Sequence, residues 1–173
     1  MNVQIAPMTP ALTALVAGVA SRVPLGEDAA PGAFTHDGLA PGRAMYRNQN
    51  ERLGIDFAVE RVPFPHLCAM DPRIVRIAPA RNNERHRHAH ESIFVVLAGR
   101  GEVLVGERWS VVKAGDIAFV PRWIFHQTRN TSEDEELVVL AITDFGLTSA
   151  CLGDYDRRTR LAANGDDAVQ GSP

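Results

Sequence analysis

From Arg73 onward the apolar residues fall in short β-rich runs, each closed by a turn former. Arg73-Ile-Val-Arg-Ile-Ala78 stops at Pro79, and Ile93-Phe-Val-Val-Leu97 gives way to Gly99-Arg-Gly101. Glu102-Val-Leu-Val105 and Arg108-Trp-Ser-Val-Val112 are separated by Gly106-Glu107 alone, the length of a tight hairpin loop. Asp116 to Val120 ends at Pro121, and Ile124 to Thr128 and Leu137 to Ile142 follow. Seven such strands within about 70 residues, with no strong helical period between them, predict an all-β fold. Short antiparallel strands of this kind build a sandwich or barrel.

Residues 1–70 read differently. Ala11 to Ala20 (ALTALVAGVA) places Leu12, Leu15, Val16 and Val19 on one stripe, which predicts a short amphipathic helix. A secretory signal would carry a positive start, and no Lys or Arg precedes this stretch, so a cytoplasmic location is expected. Pro24 to Gly42 is rich in Gly, Pro and Ala and reads as an extended arm, and Tyr46 to Pro65 as one or two strands. The expected organisation is a helix and arm over 1–70, packing on the barrel or on a partner subunit. A β-barrel over 71–150 and a fraying tail over 151–173 complete it.

Composition narrows the function classes. The chain has 173 residues, 45% of them hydrophobic, which suits one domain with a sizeable core. A formal net charge of −3 gives no basic footprint for nucleic acid. No apolar run reaches membrane-spanning length. Cys68 and Cys151 lack zinc-type spacing and are read as free thiols in a reducing compartment.

The candidate chemistry lies in histidines. His86 and His88 are separated by one residue, so on an extended strand both rings face the same side. His126, 38 residues after His88, can add a third imidazole from a later strand. Imidazole suits Zn, Cu, Fe and Ni, so a mononuclear metal site inside a β-barrel is the expectation.

Two segments around these histidines resemble the paired motifs of the cupin superfamily. The first reads Ala80, five residues, His86-Arg-His88, three residues, Ser92, six residues, Gly99. The second reads Gly115, five residues, Pro121-Arg-Trp123, two residues, His126, three residues, Asn130. Every spacing agrees with the family pattern, while Ala80, Ser92 and Trp123 depart from its glycine, glutamate and glycine. The resemblance implies a double-stranded β-helix, or jelly-roll barrel, with one divalent metal ion held by His86, His88 and His126. It does not imply a reaction, because one fold hosts many chemistries.

Ser92 stands where the family's carboxylate ligand belongs, and a serine hydroxyl is a poor ligand for a divalent ion. Glu91 is one position off and faces the other way unless a bulge intervenes. His90 shares the parity of His86 and His88 and is read as an additional ligand, a proton carrier beside the site, or a rim residue. Three neutral histidines leave the full charge of the ion in place, which favours anionic ligands. This resembles the three-histidine cupin dioxygenases, making Fe(II) the leading metal, with Zn, Ni or Mn as alternatives. The corresponding function is a dioxygenase-like oxidoreductase acting on a small anionic metabolite. A non-redox isomerase or lyase, or a non-catalytic binding cupin, stands as the alternative.

Trp123, in Pro-x-Trp-x-x-His, resembles the second motif of gentisate-dioxygenase-like cupins and points to an aromatic acid, or else packs at the rim. Phe94 and Val96 share parity with His88 and are expected to line the substrate pocket. Arg76 either turns inward to grip a carboxylate or outward on the sheet. Asp116 and Asn130 are read as structural, and Ser132 to Glu136 as a solvated acidic loop. Ile93, Val95 and Leu97 make the other face of their strand wholly apolar, so a second subunit in a homodimer, or the N-terminal segment, should cover it.

Overall fold

The computed structural model describes residues 35–64 and 70–152, together with Pro10. The expected helix over Ala11–Ala20, Cys68 and the tail beyond residue 152 lie outside the described residues. Nine strands follow in chain order: β1 (Ala44–Asn50), β2 (Ile55–Arg61), β3 (Asp71–Ile77), β4 (Ser92–Ala98) and β5 (Arg100–Val105). β6 (Arg108–Lys113), β7 (Ile117–Val120), β8 (His126–Asn130) and β9 (Leu137–Thr143) complete the set, and helix α1 (Phe145–Leu152) closes it. A 3₁₀ turn, Glu51–Leu53, joins β1 to β2.

All strand pairs are antiparallel, in a six-stranded sheet ordered β1-β2-β3-β9-β4-β7 and a three-stranded sheet ordered β6-β5-β8. Each of the seven expected runs is a strand. β1 and β2, from the stretch read as one or two strands, extend the large sheet at its edge. Val105 pairs with Arg108 around Gly106-Glu107, as the hairpin spacing requires.

The two sheets close on one apolar core. Phe57, Ile77, Phe94, Val96, Leu137 and Val139 from the large sheet meet Val103 and Val112 from the small one. Burial alternates along β4, with Ser92, Phe94 and Val96 inside and Ile93 outside, which is the period of a half-buried strand. Gly99 is fixed by both of its constraints. Its φ is +79°, and an added Cβ would lie 2.3 Å from the carbonyl oxygen of Glu136.

The outer face of the large sheet holds a second, smaller cluster of Val62, Ile74 and Val138, with Phe64, Leu97 and Leu140 packed against it. Residues 38–42 lie over this face. Arg76 donates from Nη2 to the carbonyls of Leu39 (3.1 Å) and Ala40 (2.9 Å), and Glu60 Oε2 accepts from the Gly42 amide at 3.0 Å. Leu97 is thus partly covered by the N-terminal segment, whereas Ile93 stays 41% exposed.

Candidate metal centre

The histidines are positioned by backbone before any side chain is considered. The segment before β4 runs alongside β8: Asn83 exchanges its amide and side-chain oxygen with Thr128, at 3.0 and 2.7 Å. Three residues on, His86 and His126 exchange both main-chain hydrogen bonds, at 3.0 and 2.8 Å. The His86–His88 pair was expected on a strand. His86 instead forms an isolated bridge with His126, and His88 follows in an extended connector. The two rings still face the same cavity, which also receives His126.

His86, His88 and His126 are all buried, and one ring nitrogen from each lies within 4.8 Å of the others. Their ring centroids are 4.3 to 5.4 Å apart. Every Nδ1 is secured by a nearby carbonyl: Glu84 for His86 (2.9 Å), His90 for His88 (2.9 Å) and Ile124 for His126 (3.0 Å). A carbonyl only accepts, so each Nδ1 carries the proton and each Nε2 presents its lone pair. That is the tautomer a metal-ligating histidine needs, with the outer hydrogen bond fixing ring orientation. The donor set therefore fits a divalent ion of the borderline metals, bound through Nε2 of all three.

Ser92 is 1% exposed at the start of β4, and its Oγ has no hydrogen-bond partner. It lines the same cavity, so the family's acidic position is filled by a buried hydroxyl facing the site. Glu91 does not take over as ligand. Its side chain is 52% exposed and pairs with Arg122 at 2.9 Å, on the opposite side of the chain. No bulge re-aims it. Among the described residues only the three histidines form a group able to hold a metal.

His90 is buried and stacks on His88 with centroids 3.5 Å apart, and its other neighbour is Phe145 of α1 at 5.3 Å. Phe94 lines the cavity, 6.0 Å from the His126 ring. Val96 lies one step deeper, in the packed core, and does not reach the cavity wall. Trp123 is 40% exposed at the rim, away from the cavity, and its amide donates to the His88 carbonyl at 2.8 Å.

Arg76 requires a correction. It is on the outer face, paired through Nε with Glu60 Oε1 at 3.0 Å, and takes no part in the pocket. β3 alternates, and the residues it sends inward are Arg73, Val75 and Ile77. Arg73 thus supplies the inward cation, and Arg76 takes the outward of its two readings. Tyr46, Asn83 and Glu84 also line the cavity, whose volume is about 70 Å³. Tyr46 and Phe57 pack edge-to-face at 5.8 Å to form an aromatic wall. The signal for Tyr46 was absent because β1 was not placed in the sheet.

An antiparallel jelly roll with three neutral imidazoles converging inside it defines a metal-binding cupin barrel. The comparisons agree: residues 73–143 match the cupin domain family, so this part of the chain is a cupin domain. The chain is 26% identical over 80 residues to 1-hydroxy-2-naphthoate 1,2-dioxygenase of Nocardioides sp., covering 46% of this chain and 21% of that enzyme. It is 39% identical over 51 residues to 1-methylthio-D-xylulose 5-phosphate methylsulfurylase of Rhodospirillum rubrum, covering 30% of this chain and 31% of that protein. The chain thus matches under a third of each of these two curated relatives. Among solved structures, a cupin 2 conserved barrel domain protein from Rhodopseudomonas palustris superposes with a TM-score of 0.51 at 29% identity, over 57% of this chain and 68% of that one.

Proposed function

We propose that this cupin is an Fe(II)-dependent, dioxygenase-like oxidoreductase acting on a small anionic metabolite, with aromatic acids the first class to test. The observation that carries the reading is the donor set. Three buried histidines with every Nδ1 secured leave the ion's charge uncompensated by any carboxylate, next to a cavity walled by Phe57, Phe94 and Tyr46. The limited likeness to 1-hydroxy-2-naphthoate 1,2-dioxygenase supports the same direction. When bound, the metal would supply open positions for an anionic oxygen donor and for O₂. The protein's own part is to hold the imidazoles in one tautomer, exclude water with the aromatic wall and orient the substrate. The chain is expected to work as a cytoplasmic homodimer, with the exposed Ile93 side of β4 in the subunit contact.

Metal analysis of purified protein, with oxygen uptake measured on a panel of hydroxylated aromatic acids, tests this reading. About one iron per chain and substrate-dependent O₂ consumption are expected. His126→Ala should lower metal affinity by more than about 100-fold, since loss of a ligand exceeds the 10–100-fold typical of an outer partner. Turnover under strict anaerobiosis would instead favour a Zn, Ni or Mn isomerase or lyase. The likeness to the methylsulfurylase, a protein not named for an oxygen reaction, keeps that second reading specific.

A further inference from the structure

Three strands bring one row of side chains into line on the inner face. Arg73 on β3 is paired with Ala141 on β9, which is paired with Phe94 on β4. The adjacent row is Asp71, Thr143 and Ser92 on the same three strands. With strands about 4.8 Å apart, Arg73 and Phe94 stand roughly 10 Å apart across the single methyl of Ala141. That leaves a slot with Arg73 at one end and the histidines, reached through Phe94, at the other.

Arg73 is held ready at this position. Its Nε and Nη2 both donate to Asp71 Oδ2, at 3.0 and 2.5 Å, and its guanidinium carbon lies 5.0 Å from the Phe145 ring centre. Among the described residues nothing hydrogen-bonds Nη1. The acidic side chain lining the same cavity, Glu84, is engaged by Asn48 Nδ2 at 2.5 Å. At the other corner of the slot is Ser92, whose Oγ is buried and unmatched by any protein acceptor or donor. A buried hydroxyl left in that state has a cost that a bound oxygen atom would remove.

We propose that Arg73 and Ser92 form the substrate-recognition subsite: Arg73 takes the carboxylate of a small planar organic acid, and the Ser92 hydroxyl donates to a second oxygen of that acid near the histidines. The inference rests on the metal-centre reading above and names the groups that select its substrate. Ser92 thereby has a positive role, because a glutamate there would repel the anion that Arg73 attracts. Arg73 is a specificity-determining residue and does not act on the metal.

The test uses full-length protein loaded with Co(II), whose absorption reads the metal site without turnover, together with calorimetry. The probes are 2-hydroxybenzoate and its neutral match, 2-hydroxybenzamide. One charge-assisted hydrogen bond corresponds to about 10- to 100-fold in affinity, so wild type should prefer the acid by at least about tenfold. Arg73→Gln should bring acid and amide to within about twofold of each other while leaving the unliganded Co(II) spectrum unchanged, and Arg73→Lys should keep part of the preference. Ser92→Ala should weaken both probes alike. An acid preference that survives in Arg73→Gln overturns the proposal, as does absence of acid binding to wild type at millimolar concentration. Oxygen uptake recorded on matched samples of the same variants loaded with Fe(II) separates the two readings. Arg73-dependent acid binding without O₂ uptake sinks the dioxygenase assignment alone. Uptake with Arg73-independent binding sinks the subsite alone.

Discussion

β3 carries two arginines three positions apart, and that spacing sends them to opposite faces of one sheet. Arg76, outside, has a partner at each nitrogen: Glu60 takes Nε, Nη2 donates to three carbonyls of the 38–40 segment, and Nη1 lies 3.6 Å from Glu136 Oε2. Arg73, inside, has one edge fixed by Asp71 and its other edge open to the cavity. Burial alone would rank Arg76, at 8% exposed, as the more suspicious cation. The partners reverse the ranking, because a guanidinium with a protein partner at every nitrogen is a structural fastener, and one with a nitrogen open beside a metal site is available to a ligand.

The largest expected effect tests the fastener. Arg76→Ala leaves Glu60 buried without its partner and should cost about 3–5 kcal/mol in denaturant unfolding, with metal stoichiometry unchanged. Replacing both members, as Arg76→Met with Glu60→Leu, should recover most of that loss, since apolar substitutes for a buried pair are often neutral or better. If the double variant is no more stable than Arg76→Ala, the carbonyl contacts to residues 38–40 matter more than the ion pair.

A smaller effect of opposite sign is expected where the backbone, not either face, is under strain. Ala80 and Trp123 have φ of 54° and 60°, the left-handed region that glycine occupies without penalty. Ala80→Gly should therefore raise stability by about 1 kcal/mol, read as a higher denaturation midpoint with an unchanged slope. The smallest change is expected at the inner arginine. Arg73→Gln should shift unfolding by less than Arg76→Ala does, because the Arg73–Asp71 side chains keep 18% and 19% exposure against 9% and 7% for Arg76 and Glu60, while abolishing acid selectivity. A loss comparable to that of Arg76→Ala would erase the distinction between the two arginines.

Much of this was legible in the chain. Alternation and turn residues located β3 to β9, seven of the nine strands, and motif spacing located the three histidines and the displaced carboxylate position. Asn130 and Asp116 also behave as read. Asn130 Nδ2 donates to the carbonyls of Ile77 and Glu135, and Asp116 Oδ2 accepts from the Lys113 amide. What was hidden was strand phase. A run such as Arg73-Ile-Val-Arg-Ile is apolar on both faces, because the inner face meets the core and the outer face meets residues 38–64. Period two then cannot say which arginine is inside. Tyr46 was hidden for a related reason, since β1 is an edge strand with few buried residues and carries almost no hydrophobic signal. The departures at Ala80 and Trp123 were visible as residue changes, but only the backbone angles explain why glycine is the family's choice there.

The paired main-chain hydrogen bonds between His86 and His126 have a consequence for how the ion is acquired. They close a long loop during folding and set two of the three imidazoles side by side through the backbone alone. The ion is therefore offered a finished socket, and it does not have to recruit its ligands from a wandering chain. Such a protein should fold without metal, and an added ion should raise its melting point by mass action alone. The gain would be about 4 kcal/mol when free metal stands a thousandfold above its dissociation constant. Loading should accordingly proceed at the rate the ion enters the barrel, with no slow refolding phase.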